Sequence, residues 1–409
     1  MVLAALLGAC APERAVTRAA STPAIVPPGE VELAQEGESP RQLDADAALT
    51  EVARRRGLAV KHRVRLAVLD RVGLGLEVQR LLRAQVPEKV SDGQTLLLEM
   101  LGLVPPGFDY LEETLRLMES QLAGFYDPAR STMFIADDLD AEAHRLTLHH
   151  ELVHALQDQH YDLGQLTRYG VNTSDVRSAL HALAEGDATS VMSRERALEW
   201  LADTAVDDDL RQRFAGSFGQ GVDAPGILIR SAVAPYVDGL LFVNSLRRQG
   251  GWEAVEDAWR NPPKSTEQLL HMEKYSENEL PEPVERPRAP AACRVLYDDV
   301  LGEQSLRLVF EEWMPAARAA ALASGWSGDR ATIWSCASGP KGEWALLFDA
   351  GKDVAQVGAV LSDALGSCDA AAPVLREVLV EGRAVRVRLS RSTSCPDPGV
   401  PIHDRGAPK

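Results

Sequence analysis

Residues 149–163 read HHELVHALQDQHYDL, and the prediction of the fold begins with this stretch. Apolar side chains recur around it at the spacing of an amphipathic helix. On such a helix His150 and His154 are four positions apart and lie on one face, so both imidazoles can reach one metal ion. Zinc binds imidazole nitrogen, and Glu151 beside the first histidine can reach a zinc-bound water as a general base. The stretch therefore predicts a helix that carries a catalytic zinc (Zn²⁺) site.

The HExxH pentad by itself is weak evidence for a metal site. The chain has nine histidines among 409 residues, so the pattern also arises by chance, and its histidines could be ordinary core or surface residues. The helical context favours the metal site, because Leu146, Val153 and Leu156 supply an apolar side for packing.

A catalytic zinc site needs a third protein ligand. The pattern HExxHxxGxxH would supply a third histidine, but the required glycine is missing here and His160 stands at the wrong offset. A second predicted helix, residues 174–200, contains ALHALAEGDAT, in which Glu185 is the candidate ligand. The alternative is that Glu185 is a solvated helix residue. We favour the ligand because an unpaired acid inside an alanine- and leucine-rich stretch would be costly to bury.

Four segments of the chain together resemble a family of bacterial and archaeal gluzincin-type HExxH zinc metallopeptidases. They are HHELVHALQDQHYDL at 149–163, AEGDAT at 184–189, PPKSTEQLLH at 262–271 and GWSGDR at 325–330. The resemblance spans roughly residues 95–350, and its HExxH and EGDAT pieces are specific in combination. It implies an α+β fold with a mainly helical, zincin-like peptidase domain and a small β element. It also implies Zn²⁺ held by His150, His154 and Glu185, and hydrolysis of peptide or protein substrates.

The resemblance leaves open which group orients a ligand histidine. The thermolysin-like pattern has an aspartate four residues after the glutamate ligand, but this chain has Thr189 there. Asp187 or Asp158 could orient a ligand imidazole instead, and either could equally be an exposed acid.

A peptidase also needs a donor to the oxyanion of the tetrahedral intermediate. Gluzincins commonly use a tyrosine or histidine from the helical part after the glutamate ligand, so Tyr236, His271 and Tyr275 are candidates. His271 ranks first because it stands in a family-like block, although each could be a packing or surface residue. The resemblance also suggests that the predicted strand Thr132–Ala136 is the edge strand that pairs with substrate.

The rest of the chain predicts a second, smaller α+β domain. Helical spacing covers 64–82, 95–122 with a break at 105–107, 141–159 after the N-cap residue Asp140, and 228–249. Residues 124–135 read as two short strands around an Asp-Pro turn. After the proline-rich segment 276–292, strand-like runs (345–348, 383–389) alternate with helix-like runs (306–323, 354–365). We therefore expect a signal segment at 1–10, a flexible tether at 11–58, a peptidase domain at 59–280 and a C-terminal domain at 293–396.

The N-terminus resembles the end of a bacterial lipoprotein signal peptide. An apolar run ends in Leu7-Gly8-Ala9-Cys10, although the basic residues expected before it are missing, so an ordinary apolar N-terminus is the alternative. The first interpretation predicts a lipid anchor at Cys10 and a protein on the periplasmic or extracellular face of the cell envelope. It makes that anchor the only contact with the membrane.

The other four cysteines all lie in the C-terminal third, at Cys293, Cys336, Cys368 and Cys395. In an exported protein they suggest disulfides with three possible pairings. They have no CxxC spacing, which argues against a structural zinc site.

The composition excludes one class of partner. The net charge is -17 and the pI is about 5.0, which disfavours electrostatic binding to nucleic acid. The functional prediction is a zinc metallopeptidase. Two alternatives remain open: an inactive zinc-binding lipoprotein that acts as a scaffold, and a zinc hydrolase with a non-peptide substrate. The intact Glu151 argues against the first, whereas the second shares the same metal chemistry.

Overall fold

The computed structural model describes residues 40–166, 168–170, 173–193, 224–366, 368 and 374–392, and within them the fold is α+β. The signal segment with Cys10 lies outside these residues. The chain forms two compact units. The first comprises the described residues up to Pro87 and those within Leu111–Glu279. The second comprises Glu88–Tyr110 and the described residues from Leu280 onward. The boundary at residue 280 falls inside the proline-rich segment.

The described helices are α1 (Pro40–Arg56), α2 (Arg71–Gln85), α3 (Glu88–Leu101), α4 (Tyr110–Gln121), α5 (Ala141–Tyr161), α6 (Leu163–Leu166), α7 (Ser174–Met192), α8 (Gly226–Arg260), α9 (Thr266–Leu270), α10 (Met272–Ser276), α11 (Gly302–Phe310), α12 (Ala316–Ala323) and α13 (Val354–Leu365). The described strands are β1 (Arg65–Leu69), β2 (Gly124–Asp127), β3 (Thr132–Ala136), β4 (Cys293–Asp299), β5 (Trp326–Cys336), β6 (Lys341–Phe348), β7 (Val374–Glu381) and β8 (Ala384–Arg391).

Helix α5 forms the core of the first unit together with a three-stranded sheet. It packs on β2, β3, α1 and α7. Leu152 and Val153 of α5 are fully buried against Tyr126, Met133 and Ile135 of the sheet. The apolar side of α5 is thereby used for packing on the sheet.

Residues Pro40–Arg56 correct the expectation of a flexible tether, because they form helix α1. Ala45, Leu49 and Val52 of this helix are buried in the same core as Leu152. The alanine- and charge-rich composition concealed this helical stripe, and the stripe gains stability only from burial against α5.

Residues 64–82 were predicted as one helix, and this was wrong for their first part. The segment begins with strand β1, which pairs in parallel with β3, and α2 starts only at Arg71. Asp70 separates the two elements, since its side chain accepts a hydrogen bond from the backbone N–H of Gly73 at 2.7 Å and caps α2.

Strand β3 is the central strand of its sheet, so the expectation that Thr132–Ala136 is an edge strand was wrong. The strand order is β1-β3-β2, with β1 parallel and β2 antiparallel to β3. Both sides of the β3 backbone are used by neighbouring strands. The predicted pair of short strands around Asp127-Pro128 is confirmed as β2 and β3.

Helix α8 is the described helix whose length and apolar composition would suffice to cross a membrane, with a mean hydropathy of 1.5 over its most apolar 18 residues. That window is 78% buried inside the protein, as in a core helix. Gly250 and Gly251 leave helical geometry and kink the helix near its end.

The second unit is built on a five-stranded antiparallel sheet in the order β4-β5-β6-β8-β7. Helix α3 lies close against β4, because a Cβ on Gly93 would stand 2.3 Å from the side chain of Tyr297. Arg376 of β7 donates hydrogen bonds to the carbonyls of Met100 at 2.8 Å and Leu365 at 3.0 Å. Helix α3 therefore folds with a sheet nearly two hundred residues further along the chain.

One disulfide closes the first edge of this sheet. Cys293 and Cys336 face each other across β4 and β5 and are joined with an S–S distance of 2.01 Å. Cys368 is also disulfide-bonded, whereas Cys395 lies outside the described residues.

Two motifs of the family resemblance have structural contacts. In GWSGDR, Asp329 accepts hydrogen bonds from the backbone N–H of Leu301 at 2.9 Å and from the indole of Trp326 at 3.0 Å. In PPKSTEQLLH, the backbone N–H and hydroxyl of Thr266 donate to Asp175 at 2.7 and 2.6 Å, which ties α9 to the start of α7. Each motif thus fixes a connection between elements within its own unit.

Candidate metal centre

Helix α5 carries the first three residues of the site. The side chain of Asp140 caps it by accepting two backbone N–H groups of the first turn at 3.1 and 2.8 Å, which confirms the predicted N-cap. His150, Glu151 and His154 follow in the middle of the helix and are buried. The sheet packs on Leu152 and Val153 between them, so the two imidazoles face α7.

Helix α7 brings Glu185 to the two imidazoles. Its Oε2 lies 3.1 Å from Nε2 of His150 and 3.5 Å from Nε2 of His154, and the two imidazole nitrogens are 3.2 Å apart. All three residues offer ligand atoms within 4.8 Å of one another, and all three are buried. The structure thus brings together the three residues that the sequence predicted as ligands.

Close crossing of α7 and α8 holds this part of the site together. A Cβ on Gly186 would lie 2.1 Å from the carbonyl carbon and oxygen of Gly239, and a Cβ on Gly239 would lie 1.8 Å from the carbonyl oxygen of Ala182. Only glycine at both positions permits this approach. The crossing brings Tyr236 of α8 to the site, where its ring stacks on His150 with centroids 6.2 Å apart.

Gln157 fixes the orientation of His154, a role that our sequence reasoning missed. The Nδ1 of His154 and the Oε1 of Gln157 are 2.8 Å apart, and the Nε2 of Gln157 donates to the carbonyl of Ala184 at 2.9 Å. Because the amide N–H is used on Ala184, the Oε1 must accept from Nδ1–H of His154. With Nδ1 protonated, the neutral form of His154 carries its lone pair on Nε2, on the side of Glu185. The signal was available in the sequence, since Gln157 stands one helical turn after His154.

Opposite charges outweigh burial at two of the three candidate ligands, Glu185 and His154. Burial alone would raise the pKa of Glu185, but the charge of His154 and hydrogen bonds from three histidines hold that pKa well below its usual range. Burial would lower the pKa of His154, but the charge of Glu185 and its hydrogen bond outweigh burial and raise this pKa to about 9. Burial lowers the pKa of His150. The site therefore offers a carboxylate and holds a proton where a cation could replace it.

Glu151 has one fixed and one unused oxygen. Its Oε2 accepts a hydrogen bond from the backbone N–H of Tyr126 in β2 at 3.2 Å. Its Oε1 is buried without a hydrogen-bond partner among the described residues. Burial raises the pKa of Glu151 well above its ordinary value. A carboxyl group with one anchored and one unused oxygen has the arrangement that a general base requires.

The donor set fits a zinc ion. Donor atoms at about 2.0–2.1 Å from a tetrahedral ion lie about 3.3 Å from one another. The three separations here are 3.1, 3.2 and 3.5 Å. Two imidazoles and one carboxylate form a three-ligand set of the kind found in catalytic zinc sites, which keep the fourth position for water.

The two aspartates considered for orienting a ligand make other contacts. Asp187 accepts hydrogen bonds from Arg56 at 2.6 Å and from the indole of Trp259 at 2.9 Å. Asp158 accepts from the hydroxyl of Tyr126 at 3.0 Å. In these hydrogen bonds Asp187 ties α1 and α8 to α7, and Asp158 ties α5 to β2, whereas Gln157 makes the hydrogen bond to His154.

The candidates for oxyanion stabilisation fall in different places. Tyr236 lies against His150, as described above. His271 stands between α9 and α10, where its Nδ1 is 3.8 Å from a carboxylate oxygen of Glu273, and it is not a member of the three-ligand group. The hydroxyl of Tyr275 donates to the carbonyl of Asn261 at 2.9 Å.

Comparisons of the chain with protein-family models, with curated proteins and with solved structures found no match.

Proposed function

We propose that this protein is a zinc-dependent metallopeptidase with a gluzincin-like catalytic domain. The observation that carries the proposal is the convergence of His150, His154 and Glu185 on one buried point, with Glu151 next to His150 on α5 and its buried Oε1 without a hydrogen-bond partner among the described residues. In this proposal the first three residues hold Zn²⁺ and Glu151 is the general base.

The roles of the side chains follow from their contacts. A bound zinc ion would supply Lewis acidity toward the scissile carbonyl and lower the pKa of water. Glu151 takes a proton from that water on Oε1, while the N–H of Tyr126 holds its other oxygen in place. Glu151 then passes the proton to the leaving amine. Gln157 keeps the Nε2 of His154 directed at the metal position.

Tyr236 is our candidate donor to the developing oxyanion, ahead of His271. Its ring lies on a ligand histidine and is only 8% exposed. A hydroxyl at the edge of a dry site can stabilise developing negative charge strongly.

We also propose that the protein is anchored in the cell envelope through a lipid on Cys10, with the active site on the periplasmic or extracellular face. The sequence Leu7-Gly8-Ala9-Cys10 supports this proposal. The disulfide between Cys293 and Cys336 supports it independently, because disulfides persist in oxidising compartments. Growth with radiolabelled fatty acid should label the wild-type protein and leave Cys10→Ser unlabelled, and an unlabelled wild-type protein would refute the anchor.

The decisive experiment compares Glu151→Gln with the wild-type protein, both lacking the first 29 residues. Zinc content is measured by mass spectrometry, and hydrolysis is measured on casein and on a peptide library. The variant should keep one zinc per chain and lose about 10²–10⁴-fold in rate, because only the proton acceptor is removed. Glu142→Gln, an exposed position on the first turn of α5, is the matched control and should behave as wild type.

Three other outcomes separate the alternatives. A wild-type protein that binds no zinc refutes the ligand set. Zinc binding without hydrolysis of peptides, but with hydrolysis of other esters or amides, indicates a non-peptide hydrolase. Zinc binding without any hydrolysis indicates a scaffold.

A further inference from the structure

Glu185 uses its two carboxylate oxygens on opposite sides. Its Oε2 faces His150 and His154 at 3.1 and 3.5 Å. Its Oε1 lies 3.1 Å from the Nε2 of His181, one helical turn earlier on α7. Because an ionised carboxylate only accepts hydrogen bonds, the Nε2 of His181 must be the donor in this contact.

His181 is an unusual residue to bury for packing alone. It is only 7% exposed, and its Nδ1 is buried without a hydrogen-bond partner among the described residues. Leaving a buried polar atom unsatisfied costs about 1–3 kcal/mol, which a leucine or phenylalanine at this position would avoid. The contact that offsets this cost is the hydrogen bond to Glu185.

We propose that His181 is a positioning residue that keeps Glu185 a one-oxygen ligand of the metal, an inference that rests on the proposed metal site. With Oε1 held by the N–H of His181, only Oε2 is directed at the two imidazoles. One-oxygen binding gives the metal three protein donor atoms and keeps the fourth position for water. Without His181, Glu185 turns and binds through both oxygens, which fills that position.

The test uses cobalt and zinc as probes and does not depend on activity. Four-coordinate Co²⁺ absorbs visible light more strongly than five- or six-coordinate Co²⁺, so its spectrum reports how Glu185 binds. His181→Phe keeps a ring and removes the donor. It should weaken the Co²⁺ absorption and lower zinc affinity by about 10–100-fold, the usual effect of removing a partner of a metal ligand.

Two further variants complete the design. His181→Gln restores an N–H donor and should recover both the spectrum and the zinc affinity. His149→Phe is the matched control, since His149 is also a buried histidine whose Nδ1 has no hydrogen-bond partner in the described part of the chain, and its Nε2 lies 3.8 Å from Glu51. If His181→Phe does not fold, His181→Leu replaces it as the variant without a donor.

The outcomes distinguish this inference from the proposed function. Wild-type spectrum and zinc affinity in His181→Phe or His181→Leu would overturn the role of His181 and leave the zinc site standing. Equal losses in His181→Gln and His181→Phe would also overturn it, because restoring an N–H donor would then recover neither the spectrum nor the zinc affinity. A wild-type protein that takes up neither metal would overturn the proposed site and this inference together.

Discussion

Replacement of Gly186 by alanine should damage the proposed metal site without replacing a proposed ligand. The added Cβ would stand 2.1 Å from the backbone carbon and oxygen of Gly239. To reach 3.4 Å, the lower end of ordinary van der Waals contact, α7 and α8 must separate by at least 1.3 Å at this point. Neither group can rotate away, because both belong to helix backbone. Glu185 is the residue immediately before Gly186 and must move with α7.

The expected magnitude follows from two tolerances. Overpacking of a core typically costs about 1–3 kcal/mol, which lowers the melting temperature of a domain of this size by about 2–12 °C. Ligand distances in a zinc site are held within about 0.2 Å, far less than the required separation of the helices. We therefore expect Gly186→Ala to lose zinc affinity by more than its modest loss of stability would suggest.

The assay is thermal unfolding of the apoprotein together with zinc titration against a competing chelator. Gly75→Ala is the matched control, because the nearest atoms to its Cβ would belong to the side chain of Glu119, at 3.4 Å and beyond, and because alanine is the better helix former. The control should be as stable as wild type or slightly more stable, with unchanged zinc affinity. If Gly186→Ala binds zinc like wild type and melts at the same temperature, the crossing does not hold Glu185 in place.

Three further predictions concern orientation and pH. Gln157→Leu should lower zinc affinity by about 10–100-fold, since it removes the acceptor that orients His154. Gln94→Leu is the control: it removes a buried amide without partners in the described residues and should leave zinc affinity unchanged. Zinc binding at pH 7.5 should release about one proton from His154, because its pKa of about 9 keeps the imidazole of the apoprotein charged and zinc requires it neutral. The apparent zinc affinity should therefore rise with pH up to about 9. Calorimetry in buffers of different ionisation enthalpy measures the proton release, and its absence would contradict this prediction. Burial would raise the pKa of Glu77, but hydrogen bonds from two arginines outweigh it and lower that pKa, so its contribution to stability is present above the ordinary pKa and is lost as the pH falls through the lowered one. Glu77→Gln should accordingly have a lower melting temperature than wild type at pH 7 and the same melting temperature as wild type in strong acid. A difference in melting temperature that stays constant across this pH range would refute the prediction.

The sequence predicted the parts of the site that depend on one helix. The spacing of His150 and His154 places both on one face of any α-helix, and Asp140 before the helix is a local capping signal. Glu185 was predicted as a third ligand because an acid inside an apolar helical stretch needs a partner when it is buried. These inferences involve neighbours within a turn or a single buried charge, so local rules suffice.

The tertiary structure decided the features that depend on contacts between different helices and strands. Asp158 and Gln157 are adjacent on α5, and only the carbonyl of Ala184 on another helix makes Gln157 the residue that orients His154. Helical periodicity failed for residues 65–69, because pairing with β3 outweighed it.

The same reason explains the role of the glycines and of α1. Nothing within AEGDAT indicates that Gly186 meets Gly239, which lies 53 residues further along the chain. Helix α1 likewise is stable only when its apolar side chains are buried against α5. The sequence thus determined which chemical groups are available and their spacing along each helix. Packing between distant segments determined which of these groups meet, because a contact between two helices depends on the side chains of both and cannot be inferred from either sequence alone.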